Sequence, residues 1–284
     1  MVYRVGIVGC DNSHAVTFGK MFNDPTNEKY VDGFKVTHVY DPDRAKAKGV
    51  ASKVCIENIV DTINDMINKI DIVFIEFRDG ALHLKYAKPF IDAEIPLFID
   101  KPLAANPVDA EKIVSLAKKK NVLLTSFSVL RFCDEVLAVK NKETIRLGVN
   151  GPGDPDSQYS GLIFYGIHVA EIINTITGTK LNNVYAIRKG KTVSALIWGE
   201  DLPLVDARIS NDVPYTFSLE IFAKDSVNYL KISDFQECYR RGLIKIREML
   251  NNGKWPISDE DLIYPVKLVD AIDRSYKSNK IIKI

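Results

Sequence analysis

Over its first 126 residues the chain alternates short apolar runs with segments whose apolar residues recur at helical spacing. That rhythm narrows the choice of fold more than any other feature, because strands separated by helices pair in parallel through crossovers. Residues 3–9 read as a buried strand ending in glycine, followed by the polar turn Asp11-Asn12-Ser13-His14 and a helix over 15–22. A second strand spans 34–40 and ends at Asp41; residues 42–48 read as a turn and a short helix. Val54 is expected on a short strand and residues 59–67 on an amphipathic helix. Strands at 70–77, 95–99 and 122–126 then enclose helices at 81–91 and 108–119. The last helix is opened by Asn106 as N-cap and Pro107 at its first position, and closes on lysines that suit its negative terminus.

The rhythm changes after Phe132. Strand-like segments at 145–149, 181–188, 191–198, 205–210, 215–222 and 226–232 follow one another with few helices between. Helices are expected at 167–176, 238–250 and 259–276. The fold class is therefore α/β. An N-terminal Rossmann-type doubly wound parallel sheet occupies residues 1–122, and a C-terminal α+β domain with a mainly antiparallel open sheet occupies 123–284. The helix at 259–276 is expected to pack back on the first domain.

Composition excludes several classes of partner. A formal net charge of +1 over 284 residues gives no basic surface for nucleic acid or acidic membrane. No apolar run approaches the ~20 residues of a membrane helix, and the N-terminus lacks the charged head and long apolar core of a signal peptide. Cys10, Cys55, Cys133 and Cys238 are scattered and form no C-x-x-C pair. They imply neither a disulfide framework nor a zinc site, and suit a reducing cytoplasm. The expected partner is a small molecule.

The residues that carry chemistry sit where these strands end. A dinucleotide fold wants G-x-G-x-x-G after its first strand so that the backbone can approach a pyrophosphate. Here Gly9 serves as the first glycine, while Asp11 and His14 stand at the other two positions. A carboxylate facing a pyrophosphate repels it. A shorter turn, in which Asn12 and Ser13 cap the helix, would still offer free amides to a phosphate. Asp41, at the end of the second strand, is placed to bond adenosine ribose hydroxyls and to disfavour a 2′-phosphate, hence NAD over NADP; it is equally ordinary turn chemistry in Asp41-Pro42-Asp43. Lys101-Pro102 follows the fifth strand, where a lysine is either an acid, base or carbonyl polariser, or a solvated loop residue. His83 either faces a ligand cleft or caps and packs. His168, on an apolar helix after a glycine-punctuated turn, is either a proton carrier or a satisfied core residue.

Together these residues resemble the glucose-fructose oxidoreductase/inositol dehydrogenase/rhizopine catabolism (Gfo/Idh/MocA) family. Asp100-Lys101-Pro102 resembles its Glu-Lys-Pro motif, His83 the histidine of its Pro-Asn-x-x-His segment, Arg131-Phe132 its Arg-Phe, and Gly166-Ile167-His168 the end of its Asp-x-Gly-x-His motif. The motif aspartate is Phe164 here, and the glycine fingerprint is replaced by Gly9-Cys10-Asp11-Asn12-Ser13-His14. The resemblance implies an NAD-dependent oxidoreductase acting on a sugar, cyclitol or related polyol. His168 would be the base, and Lys101 the group that polarises the oxygen and holds the nicotinamide with Pro102. Gly9, Asp11, Asn12, Ser13, His14, Asp41 and His83 would complete the cofactor site, with Arg131 and Tyr165 on the substrate side and no metal. It further implies a homodimer or homotetramer. Two other readings stand beside it: an inactive sugar-phosphate or nucleotide sensor on the same fold, and an NAD-assisted glycosidase.

Overall fold

The computed structural model describes residues 2–140 and 143–284. The chain forms two compact units. The first comprises Met1–Ala104, Val108–Phe127 and Tyr239–Ser258; the second comprises Ala105–Pro107, Ser128–Cys238 and Asp259–Ile284.

In chain order the first unit contains β1 (Tyr3–Val8), α1 (Ser13–Asn23), β2 (Phe34–Tyr40), α2 (Arg44–Val54) and β3 (Asn58–Ile59). It continues with β4 (Ile72–Ile75), α3 (His83–Asp92), β5 (Leu97–Asp100), α4 (Pro107–Lys119) and β6 (Leu124–Phe127). The strands lie in the order β3-β2-β1-β4-β5-β6, every pair parallel. β4, β5 and β6 are buried along their whole length, as strands covered on both faces must be. The core is aromatic: Phe74 and Phe98 lie 5.0 Å apart, as do Phe98 and Phe127, and Phe22 lies 4.6 Å from Phe34. Helices α1 and α2 close on Gly19, where a Cβ would stand 2.6 Å from Val54 Cγ1.

Two local expectations are corrected. Val54 ends α2, which Cys55 terminates in the left-handed region at φ 58°, so no strand passes through Val54. Residues 59–67 do not form a helix. Ile59 belongs to β3, and only the 3-10 turn Ile63–Met66 follows. There the Asp65 carboxylate accepts from the Thr62 amide at 3.0 Å and its hydroxyl at 2.9 Å, the local bonding by which Thr and Asp compete with helix.

The second unit contains the short helix α5 (Asp134–Leu137), β7 (Arg146–Pro152), α6 (Ile163–Thr177), β8 (Asn183–Lys189), β9 (Thr192–Trp198) and β10 (Leu204–Ser210). β11 (Phe217–Phe222), β12 (Val227–Ile232), the start of α7 (Phe235–Asn252), α8 (Asp259–Ser278) and β13 (Ile282–Lys283) complete it. The sheet order is β12-β11-β7-β10-β9-β8-β13, antiparallel except for the parallel β7–β10 pair. Helix α8 belongs to this unit and packs against α6 and β8. Its Tyr264 hydroxyl donates to Leu181 O at 2.7 Å, and its Ser275 Oγ accepts from Ala186 N at 2.9 Å. The segment that rejoins the first unit is Tyr239–Ser258, where Trp255 Nε1 donates to Val122 O at 3.0 Å.

The cysteine expectation is also corrected. Cys133 and Cys238 form a disulfide, with Cα atoms 5.1 Å apart across 105 residues of sequence, a separation that leaves no trace in residue spacing. Among the described residues no helix is long and apolar enough to cross a membrane.

Gly19→Ala should destabilise the protein by about 1–3 kcal/mol through overpacking, and Val54→Ala in the same chain should recover part of that loss in a denaturant titration. Thiol titration of the unfolded, unreduced protein should find the two free cysteines, Cys10 and Cys55; finding all four would refute the disulfide.

Candidate active site

In the first unit, β1, β4 and β5 are neighbours, and open α/β sheets bind ligands beyond the carboxyl ends of such strands. After β1 the chain turns at Gly9, whose φ is +98°; a Cβ there would lie 2.7 Å from Phe77 N, so the turn requires glycine twice over. Asp41 joins the end of β2 to this turn: Oδ2 accepts from Cys10 N at 2.7 Å and Oδ1 from Asp43 N at 2.8 Å. Asp11 Oδ1 accepts from Arg78 N at 3.1 Å, which directs that carboxylate toward the turn after β4. Asn12 caps α1, its Oδ1 accepting from His14 N at 3.2 Å while its Nδ2 donates to Asp100 Oδ2 at 2.8 Å. Ser13 is exposed at the first helical position. The His14 ring is buried, with Nδ1 2.8 Å from Asp100 Oδ2 and Nε2 2.9 Å from the Tyr239 hydroxyl.

At the end of β5 the Lys101–Pro102 peptide is cis, and Lys101 is only 5% exposed. His83 is fully buried, its Nδ1 2.8 Å from Pro102 O and its Nε2 2.9 Å from Phe77 O. It thereby ties the lysine-proline turn to the segment after β4, and burial lowers its pKa against the opposing pull of the carbonyl contacts and Asp100.

Two acids complete the cluster. Glu76 follows β4, is fully buried, and among the described residues neither of its carboxylate oxygens has a hydrogen-bond partner. Burial first, and the charge of Asp100 second, raise its pKa well above the usual range. Asp100 goes the other way. Burial works to raise it, but His14 and Lys101 outweigh burial and hold it at about 2. Burial lowers the Lys101 pKa, opposed by the charges of Asp100 and Glu76. His14, Glu76 and Asp100 each place a ligating atom within 4.8 Å of the others.

In the second unit His168 lies on α6. Its Nδ1 is 2.7 Å from Ser128 Oγ, and its ring lies 5.4 Å from those of Tyr165 and Phe217. Arg131 Nη1 lies 3.3 Å from Glu171 Oε2, both side chains nearly buried. Burial raises the Glu171 carboxyl to about 7, against the opposing charge of Arg131 and the Ser128 amide. A cavity of about 540 Å³ lies beside Tyr165. Tyr159, Phe164, Tyr165 and Tyr215 supply aromatic walls, and Asp154 and Asp156 supply carboxylates. Phe164, at the position of the motif aspartate, packs 4.8 Å from Tyr159 and 4.9 Å from Tyr165.

Within the first unit the structure thus gathers Gly9, Asn12, His14, Asp41, His83, Lys101 and Pro102 around the ends of β1, β2, β4 and β5. Within the second it gathers His168 and Tyr165, and pairs Arg131 with Glu171. Sequence reasoning missed Glu76, Ser128, Glu171 and Tyr239, and named Asp100 in the lysine-proline motif without a role of its own. An acid closing the apolar run Ile72-Val73-Phe74-Ile75-Glu76 was a readable signal; Ser128 and Tyr239 carried none.

Residues 3–128 match the profile of the GFO_IDH_MocA family, described as an oxidoreductase family with an NAD-binding Rossmann fold. The protein YceM of Salmonella typhimurium (strain LT2) is 30% identical over 92 residues, which is 32% of this chain and 29% of that protein. The crystal structure of myo-inositol 2-dehydrogenase from Lactobacillus plantarum superposes with a TM-score of 0.86 at 15% identity, covering 100% of both chains. That of scyllo-inositol dehydrogenase from Lactobacillus casei, with bound NAD(H) and scyllo-inositol, gives 0.84 at 16% identity, covering 100% of this chain and 99% of that one. At these identities the two structures show a common fold.

Because the Glu171 pKa is raised from 4.5 to about 7, the folded state binds more proton than the unfolded state between those values, and stability falls as pH rises through that window. Fully expressed, the effect is about 3 kcal/mol. Thermal melts should show Glu171→Gln gaining on the wild type between pH 5 and pH 8.5; a constant difference would place the Glu171 pKa at its ordinary value.

Proposed function

We propose that this protein is an NAD-dependent dehydrogenase of a sugar, cyclitol or related polyol. The observation that carries the reading is the nearly buried Lys101 side chain at the carboxyl end of β5, beside Asp100, in a unit whose family binds NAD.

The residues at the end of the sheet fit the dinucleotide. Gly9 presents no side chain at the turn, α1 begins directly after it with the positive end of its dipole at that turn, and Asp41 stands at the end of β2 where a ribose hydroxyl is recognised. The Arg78 amide holds Asp11 Oδ1 and so turns that carboxylate toward the segment after β4. The same Asp41 carboxylate favours NAD over NADP. Bound there, the nicotinamide would accept a hydride from the carbinol carbon of the substrate.

The chain supplies proton chemistry and orientation. Lys101, as an ammonium withdrawn from water, stabilises negative charge developing on the substrate oxygen. Its lowered pKa also lets it exchange a proton more readily than a solvated lysine. His168 is the base. In the tautomer whose Nδ1–H donates to Ser128 Oγ, Nε2 carries the lone pair that a proton acceptor needs, and Ser128 then takes the orienting part that an aspartate at position 164 would have played. The cavity beside Tyr165 supports the substrate class. Aromatic faces cover the apolar side of a polyhydroxylated ring, and carboxylates accept its hydroxyls. The relative from Lactobacillus casei, bound to scyllo-inositol, supports the same class. The exposed Ile187, Leu196 and Tyr229 on the sheet of the second unit suit a homodimer or homotetramer.

NAD or NADH at millimolar concentration should raise the thermal transition by mass action. If neither does, the dehydrogenase reading fails and a sensor of other ligands takes its place. Lys101→Ala and His168→Ala should each lower turnover of the cognate polyol by roughly 10²–10⁴-fold with the far-UV spectrum unchanged. Full activity in either variant would remove that residue from its role.

A further inference from the structure

We propose that His14, Glu76 and Asp100 form a binding site for a divalent first-row transition metal ion. The three residues come from the ends of three adjacent parallel strands: His14 from the first turn of α1 after β1, Glu76 from the end of β4, Asp100 from the end of β5. Each offers one ligating atom within 4.8 Å of the other two. Ligands bound at 2.0–2.2 Å from a zinc-sized ion stand roughly 3–3.5 Å apart. Only side-chain adjustments are therefore needed to close the set, and the contact of His14 Nδ1 with Asp100 Oδ2, 2.8 Å, opens slightly as the ion replaces the proton between them.

The independent pointer is Glu76. A fully buried carboxylate with neither oxygen hydrogen-bonded is rare and costly, and structures that keep one generally use it. Its surroundings within the unit are those of a ligand sphere. The Tyr239 hydroxyl lies 2.9 Å from His14 Nε2, so it can accept the Nε2 proton and leave the Nδ1 lone pair for the ion. Asn12 Nδ2 donates to Asp100 Oδ2 at 2.8 Å and fixes that carboxylate. Both histidine and asparagine are thus held by the polar turn that departs from the glycine fingerprint. Lys101 opposes the dication, and the two carboxylates offset that repulsion.

The donor set selects the ion. One imidazole with two carboxylates suits Zn²⁺, Mn²⁺ or Fe²⁺, whereas Ca²⁺ takes six to eight oxygens and Cu(I) prefers sulfur. Three protein ligands leave at least one position open, as in catalytic zinc sites.

The test uses the full chain, stripped with chelator and dialysed against Zn²⁺ or Mn²⁺, with bound metal measured by mass spectrometry. One ion per chain is expected, with affinity at least 10–100-fold weaker in Glu76→Gln. That variant keeps the shape of the side chain at a buried position, so its circular dichroism should match the wild type. His14→Gln supplies the second variant: the Mn²⁺-loaded wild type should show directly coordinated nitrogen by electron spin-echo modulation, and His14→Gln should lose it. Absence of stoichiometric binding, equal affinity in Glu76→Gln, or nitrogen coupling that survives in His14→Gln would each overturn the site. None of these readouts depends on dehydrogenase activity.

Discussion

The first unit depends on one oxygen atom. Asp100 Oδ2 receives the Asn12 side-chain amide and faces His14 Nδ1, each at 2.8 Å, so the polar turn after β1 is fastened to the end of β5 across the intervening strand β4. An aspartate at this depth stays ionised only because His14 and Lys101 compensate its burial. Removing any one of the three would change the electrostatic state of the other two. The catalytic candidate Lys101 is thereby coupled to the turn that replaces the usual glycine fingerprint: the residues that make the turn unusual are those that hold the neighbour of the lysine.

The second unit solves a similar problem with different groups. Its sheet buries Val205, Ala207 and Ile209 of β10 beneath α6, and the polar residues within that layer pair among themselves. Ser128 is the common member. Its hydroxyl faces His168 and its backbone amide reaches Glu171, which in turn stands beside Arg131. A histidine at the edge of an apolar core thus has its ring orientation set by a segment distant in sequence. A phenylalanine at position 164 is tolerated in the same way: it joins an aromatic wall with Tyr159 and Tyr165 and asks for no polar partner.

How far these features were legible in the sequence follows from their range. The parallel sheet and its switch to an open sheet after Phe132 were readable because period and spacing are local. β2 was readable to the residue, and α4 nearly so, since Asn106-Pro107 and a lysine-rich end mark its limits. Residues 59–67 misled because Thr62 and Asp65 satisfy each other in a single turn, and periodicity does not register that competition. The bond between Cys133 and Cys238, the partnership of Ser128 with His168 and the contact of His14 with Tyr239 depend on segments brought together only by folding. Lys101 and His168 were visible as residue types at strand and helix ends. What orients them was not.

The return of Tyr239–Ser258 to the first unit has a consequence for how the protein is made. The parallel sheet is fully translated by Phe127, yet the ring that seals His14 and the indole that donates to Val122 O are encoded more than a hundred residues later. A nascent chain emerging from the ribosome holds an open-sided sheet until α7 arrives. The Cys133–Cys238 bond then pins the residue just before that returning segment. Cutting the gene after the sixth strand would release a fragment with its buried imidazole and aspartate uncovered, so the two units are inherited together and cannot be exchanged as contiguous cassettes.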